Sequence, residues 1–329
     1  MESSTTFGKP EALTVKVPER ETELFQQLIR LPFWLVGVAR ILIRRKFEIV
    51  YVCNDWFGLV VYLIFQKVFK QKVIFEIHGI LSEESKAWGK PNFVVWVLQR
   101  WESIVLRQCD VIVALSRHIF EYCKRYTRKI EFIPVFVDTN VFRRNEGTRA
   151  TLRERHGWQH KCVVGLIGPF DNYVWNEVAL QFLEENMEEF DERIVFAVIG
   201  KCECKMNVDR CFYAGFVEDL PGFLSCLDAV LVPRRLPTSG PLNKIIESMS
   251  CSLPVFTTPE GVIGMDYVEN GRDIIVIKES GMAHTANSLI FDERGMETIG
   301  NNARQTVEKH YSYGANAAKL VRILESCQP

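Results

Sequence analysis

The sequence predicts an α/β protein of two doubly wound parallel-sheet domains facing a cleft, and three observations predict it. The chain has 329 residues, room for about two domains of 100–200 residues each. Short β-branched runs alternate with stretches of helical periodicity, the pattern of parallel strands covered by helices on both faces. The alternation then restarts near residues 158–161. We therefore expect a first domain at 1–158, a second at 159–305, and a last helix within 306–329 that packs back on the first.

In the first domain a strand at 13–17 precedes a helical stretch over 22–45, interrupted near Pro32. Strands are expected at 48–53, 73–77, 111–115 and 130–134, with helices at 58–69 and 93–108. In the latter helix Val94, Val97, Leu98, Trp101, Ile104 and Val105 fall on one face. In the second domain strands are expected at 163–167, 194–199, 211–213, 229–232 and 254–257. Helices are expected at 176–189, 220–226 and 241–250, and further helices finish the chain. Ligands in such folds sit at the carboxyl ends of the strands.

Composition narrows the function. With 47% hydrophobic and 25% charged residues the chain is an ordinary globular protein, and its net charge of -1 argues against a general nucleic-acid binder. The charge is uneven. Residues 1–150 hold 23 Lys/Arg against 16 Asp/Glu, and the remainder 17 against 25, which suits an anionic partner for the first half. The first twenty residues are polar and lack a signal core. Together with ten scattered cysteines, this predicts a cytoplasmic protein with reduced thiols. Cys202, Cys204 and Cys211 lack the paired Cys-x-x-Cys hooks of a structural zinc site, so no metal is expected.

Residues 33–43 are apolar but too short to span a bilayer, and they include Arg40. Residues 33–46 read either as a core helix under a sheet or as an interfacial helix. In the second reading Arg40, Arg44, Arg45 and Lys46 meet headgroups of an anionic membrane at the inner face, giving a peripheral association.

The chemistry concentrates at 232–250, where a strand end, a loop with Arg234, Arg235, Ser239 and Gly240, and a helix succeed one another. Ser239 or Gly240 is expected as N-cap and Pro241 as the first helical residue. Such a helix start is an anion site suited to a diphosphate. Lys244 and Glu247 are three apart and share a face, which suits phosphate plus ribose hydroxyls. The plain alternative is a solvated ion pair. Asp55, at the end of the strand at 48–53, is a candidate on the acceptor side of the cleft, with a loop residue as its plain reading.

Gly240, Lys244, Glu247, Ser248 and Met249 match the motif Gly-x-x-x-Lys-x-x-Glu-(Ala/Ser)-Met. The segment 254–264, with Pro254, Thr257, Gly261 and Gly264, and the run Asn270-Gly271-x-Asp273 extend the match. So do Gly215-Phe216-Val217, Ser116, Glu102, and the series Ile133, Pro134, Val137, Asp138 and Phe142. In this order and spacing the chain resembles the retaining family 4 GT-B glycosyltransferases over roughly residues 48–325. It departs from them in four places. Ser239 stands where a first Glu is common, Phe136 replaces a Gly, and 168–176 replaces the usual Gly-Arg and Lys-Gly pair. The N-terminal domain is shortened, without the Gly-rich loop.

The resemblance implies two Rossmann-like domains and transfer of a hexose, with retention, from a nucleoside diphosphate sugar. The acceptor would be a glycan, a lipid-linked molecule or a small molecule, and neither metal nor cofactor is implied. Glu247 would hold the ribose. Lys244 and Arg235, with Lys201 as a further candidate, would meet phosphate. Gly240 and Ser239 would line the donor site, Phe216 and Val217 would border the base, and His78 would act beside the reacting sugar. Two other readings share these features: a nucleotide-sugar-binding pseudoenzyme or subunit, and a sugar-nucleotide epimerase of the same architecture.

Overall fold

The computed structural model describes residues 36–41, 43–44, 47–56, 58–170, 174–203 and 210–327; the strand expected at 13–17 and the start of the helix expected at 22–45 lie outside them. The first unit runs β1 (Ile49–Cys53), α1 (Leu59–Phe69), β2 (Lys72–Ile77), α2 (Leu81–Ala87), α3 (Asn92–Leu106), β3 (Val111–Ala114), α4 (Arg117–Lys124) and β4 (Ile130–Phe132). Its strands pair in parallel in the order β1-β2-β3-β4.

The second unit runs α5 (Glu146–Arg155), β5 (Cys162–Ile167), α6 (Val174–Asn186), β6 (Ile194–Ile199), β7 (Cys211–Gly215), α7 (Leu220–Ser225), β8 (Ala229–Val232), α8 (Asn243–Ser250), β9 (Val255–Thr257) and β10 (Ile275–Val276). The helices α9 (Met282–Leu289), α10 (Glu293–Thr306) and α11 (Tyr313–Ser326) follow. Its parallel sheet has the order β10-β9-β8-β5-β6-β7. Starting from β5, the chain winds to one edge and then, from β8, to the other. The winding reverses between β5 and β8, the position where ligands bind in open α/β sheets.

Strand periodicity explains why both faces of the second sheet are covered. Val163, Ile167, Ala197, Ile199, Val230 and Val232 enter one core. Their neighbours Val164, Leu166, Phe196, Val198 and Leu231 enter the other. In the first sheet Phe75, Ile77 and Ile112 pack against Leu59, Leu63 and Leu106 of the helices α1 and α3. On the opposite face Ile74, Val113 and Leu115 meet Ile323 of α11 and Cys327.

The helix α5 is held to the second core by cations. Arg153 donates to the carbonyl oxygens of Cys226 (2.9 Å) and Trp158 (2.7 Å), and it and Arg149 both pair with Asp228. Residues 36–41 and 43–44 are helical, with Val38 buried at 4% exposure but Val36 and Ile43 exposed at 50% and 58%.

The apolar face of α3 splits. Val94, Val97 and Ile104 are 38%, 41% and 54% exposed, while Val105 is buried and Trp101 half-buried. The inward side carries Val95, Glu102, Val105 and Leu106. One reason is polar. The Glu102 carboxylate accepts from the Ser82 amide (2.8 Å), the Ser82 hydroxyl (2.7 Å) and the Tyr122 hydroxyl. This buried knot sets which side of α3 faces the sheet. Burial raises the Glu102 carboxyl, and the Ser82 and Tyr122 hydrogen bonds oppose that rise without cancelling it.

Glu102→Ala would leave the buried Ser82 amide without its acceptor and the Ser82 and Tyr122 hydroxyls, 3.3 Å apart, with only each other, at roughly 1–3 kcal/mol for each unsatisfied group. We expect a loss of at least ~2 kcal/mol in equilibrium denaturation. A loss below ~1 kcal/mol would show that the knot is not what fixes α3.

Candidate active site

The strand ends of both sheets meet across the cleft. His78 follows β2, Ser116 follows β3, and the loop 233–242 follows β8. The Ser116 hydroxyl caps α4 by accepting from the Ile119 amide (3.1 Å), and it donates to the Ser239 carbonyl oxygen (3.2 Å). The Ser239 hydroxyl donates to Glu83 Oε2 (3.3 Å), which also lies 2.6 Å from His118 Nε2. Burial alone would raise the Glu83 carboxyl, but the bonds from His118 and Ser239 outweigh it and lower it. The His118 imidazole is raised, first by its hydrogen bond to Glu83. The Arg117 amide donates to Asp266 Oδ2 (2.9 Å), a further crossing between the two units.

Gly240 lies against the first unit, where a Cβ on it would come 1.7 Å from the His78 carbonyl oxygen. His78 itself is exposed, with Nε2 2.6 Å from Glu76 Oε1. Glu76 also accepts from the Tyr51 hydroxyl. Burial pushes the Glu76 carboxyl up, yet its bonds from His78 and Tyr51 hold it below the ordinary value. Glu76 and Tyr51 thus orient His78, and sequence reasoning missed both. The available signal was period 2, which puts Glu76 and His78 on one side of an extended chain.

The α8 helix starts later than expected. It begins at Asn243 after an extended Leu242, and among the described residues no side chain caps it. Neither Ser239 nor Gly240 is the N-cap, because the Ser239 hydroxyl is engaged with Glu83 and Gly240 is pressed against His78. The Thr238 hydroxyl donates to the Gly240 carbonyl oxygen (3.2 Å), closing a turn ahead of Pro241. A helix start without a side-chain cap leaves its first N–H groups to water or ligand.

Lys244, in the first turn of α8, reaches across the point where the winding reverses. Its Nζ donates to the Ile167 carbonyl oxygen (2.5 Å) at the end of β5 and to Asn176 Oδ1 (2.6 Å). Asn176 in turn donates to the Pro169 carbonyl oxygen (2.8 Å). Burial pushes the Lys244 amine down to about 7, with Arg234 adding to the fall and Glu247 opposing it. Burial raises the Glu247 carboxyl, against the attraction of Lys244.

The cations divide unexpectedly. Arg235 is exposed and pairs with Glu279 (2.8 Å) and with Glu185, and these hydrogen bonds raise it. Arg234, given no phosphate role from the sequence, is 4% exposed and close enough to Lys244 to perturb it. Lys201 is exposed and pairs with Glu203 (3.2 Å). Phe216 is 81% exposed just beyond β7, and Val217 is half-buried against the core. The Asp55 carboxylate accepts from the Gly58 amide (2.9 Å) ahead of α1, as a loop-forming aspartate does. Asp273 is buried and accepts from the Glu269 amide (2.8 Å) and the Thr306 hydroxyl (2.8 Å), so it holds a loop to α10. Among the described residues no group of three or more His, Cys, Asp or Glu could hold a metal ion.

Residues 3–141 match the family model Glycosyltransferase Family 4, and residues 161–292 match Glycosyl transferases group 1. The chain belongs to these glycosyltransferases, and its two parallel-sheet units are those of the GT-B fold. It is similar to the structure of Anabaena HepE in complex with UDP-glucose, at 18% identity and a TM-score of 0.73, covering 91% of this chain and 84% of that one. It is similar to sucrose-phosphate synthase from Thermosynechococcus elongatus, at 15% identity and a TM-score of 0.76, covering 96% and 82%. A glycosyltransferase from Rickettsia africae is similar at 15% identity and a TM-score of 0.70, covering 95% and 84%. At these identities the likeness is one of fold. No curated protein matches the chain.

The Lys244 amine supplies a test. Its ordinary value is 10.5 and its folded value about 7, so between these the unfolded chain holds more protons and stability rises with pH. Lys244→Met removes that rise. From pH 7 to 9 the wild type should gain ~2 kcal/mol relative to the variant in denaturant titrations. Parallel profiles would mean that Lys244 keeps its ordinary value.

Proposed function

We propose that the protein transfers a hexose from a nucleoside diphosphate sugar to an acceptor, with retention and without a metal ion. The observation that carries this is Lys244 and Glu247 on one helix at the winding reversal, opposite His78. Catalysis of this kind must stabilise the diphosphate as it leaves. The uncapped start of α8, Lys244 and Arg234 supply fixed positive potential there. Glu247 holds the ribose hydroxyls, Gly240 and Ser239 border the sugar phosphate, and His78 stands at the reacting sugar. Phe216 and Val217 flank the base. Uridine is the base to try first, because HepE is known with UDP and UDP-glucose bound.

In this reading 1–158 is the acceptor-side domain, 159–305 the donor domain, and 306–329 the returning segment. We further propose that the protein works at the cytoplasmic face of an anionic membrane, as a peripheral protein. Among the described residues no helix is long and apolar enough to cross a membrane.

Glu247→Ala should weaken donor binding at least ~10-fold. A charge-assisted hydrogen bond contributes roughly 1.5–3 kcal/mol, and 1.4 kcal/mol is tenfold. The measurement is calorimetric titration of UDP-glucose and other nucleotide sugars, with a melting curve as control. Unchanged affinity would remove Glu247 from the site.

Turnover is read by product formation from a labelled nucleotide sugar with and without EDTA. Activity that EDTA abolishes and Mg²⁺ restores would overturn the metal-free mechanism. Binding without product on any acceptor would leave a binding subunit.

A further inference from the structure

The helices α1 and α3 cover the outer side of the first sheet, and both are apolar on the side turned away from it. On α3, Phe93, Trp96, Val97 and Ile104 are 72%, 52%, 41% and 54% exposed, and their spacing puts them in one stripe. On α1, Ile64 and Val68 are 57% and 64% exposed. Between the helices runs a shallow groove lined by Leu63, Lys67, Trp101 and Gln108. A contiguous exposed face of this kind marks an interaction site.

Its charges identify the partner. Lys67, Lys70, Arg100 and Arg107 are all exposed along or at the ends of the two helices. The one acidic residue in either helix is Glu102, which is buried on the opposite side of α3. Arg100 stands inside the apolar stripe, its guanidinium 5.5 Å from the centre of the Trp96 ring, and Phe93 stacks on Trp96 at 6.3 Å. A two-fold contact with a second copy would set these cations against one another, with no exposed acid on either helix to answer them. Lipid headgroups answer them directly. Aromatic rings settle at the headgroup level, aliphatic side chains reach the acyl boundary, and Lys and Arg meet the phosphates.

We propose that the α1–α3 face seats the protein on an anionic bilayer. This deepens the membrane reading above, on which it rests, and names a seat other than residues 33–46.

The test is flotation of the full chain with phosphatidylcholine vesicles, with and without about a third phosphatidylglycerol. Wild type should float with the anionic vesicles and lose binding in high salt. Phe93→Ser/Trp96→Ser should lower the partition coefficient ~10-fold or more. Arg100→Ser/Arg107→Ser should flatten the salt dependence. Both variants should keep the wild-type melting temperature and UDP affinity.

If wild type floats and the aromatic variant floats equally well, the membrane reading stands and this seat is wrong. If wild type binds no vesicle, both fall. A wild-type dimer that the aromatic variant dissociates would overturn the proposal in favour of self-association. A sharply lower melting temperature with unchanged flotation would overturn it in favour of a face packed within the protein.

Discussion

A side chain of any size at position 240 would drive its Cβ into the His78 carbonyl oxygen, 1.7 Å away. The far side of the turn is equally confined. Gly264 takes a positive φ of 83°, and a Cβ there would lie 2.8 Å from Gly240 C and Pro241 N. The turn is thus held between the end of β2 in one unit and a loop of the other. The Ser116 bond to the Ser239 carbonyl and the Ser239 bond to Glu83 form only while Gly240 stays in that position. This backbone contact, together with the Ser116, Ser239 and Arg117 bonds, holds the two strand-end surfaces together and with them the relation of His78 to α8.

The second constraint is topological. Because the chain reverses its winding between β5 and β8, their two following loops diverge and leave a crevice at that edge. Lys244 bridges the two sides of it, from the helix after β8 to the carbonyl that ends β5. Asn176 completes the link by tying Lys244 to the Pro169 carbonyl. The loop at 168–170 is thereby positioned by α8.

The fold was legible where burial is complete. Strands such as β5, β6 and β8 are apolar without interruption because both faces are covered, and sequence reading finds them within a residue or two. What escaped it depends on tertiary contacts. On α3 periodicity does not show that the buried carboxylate Glu102 turns inward with Val105 while Val97 and Ile104 stay exposed. The start of α8 was set two residues early, since good capping residues were available but were engaged across the cleft. The two-residue strand β10 has no periodicity to read. Of the candidate site, Lys244, Glu247 and Gly240 are legible as motif residues and His78 as the residue that follows a strand. Glu76 and Tyr51 are not, because their role is to hold His78, a relation between β1 and β2 that only the sheet reveals.

The separation of Arg234 from Arg235 shows how the same constraint shapes the electrostatics. Beyond the end of β8 the chain bends at Arg235, and of the two only Arg234 is buried. Arg235 goes outward, where Glu185 and Glu279 neutralise it. Arg234 goes inward, where burial is nearly complete, and its charge acts on Lys244. Glu247 only partly offsets the repulsion, and the Lys244 amine falls to about 7 as a result of burial and of that repulsion together. An anion arriving at the start of α8 would oppose both effects and favour the charged form of Lys244.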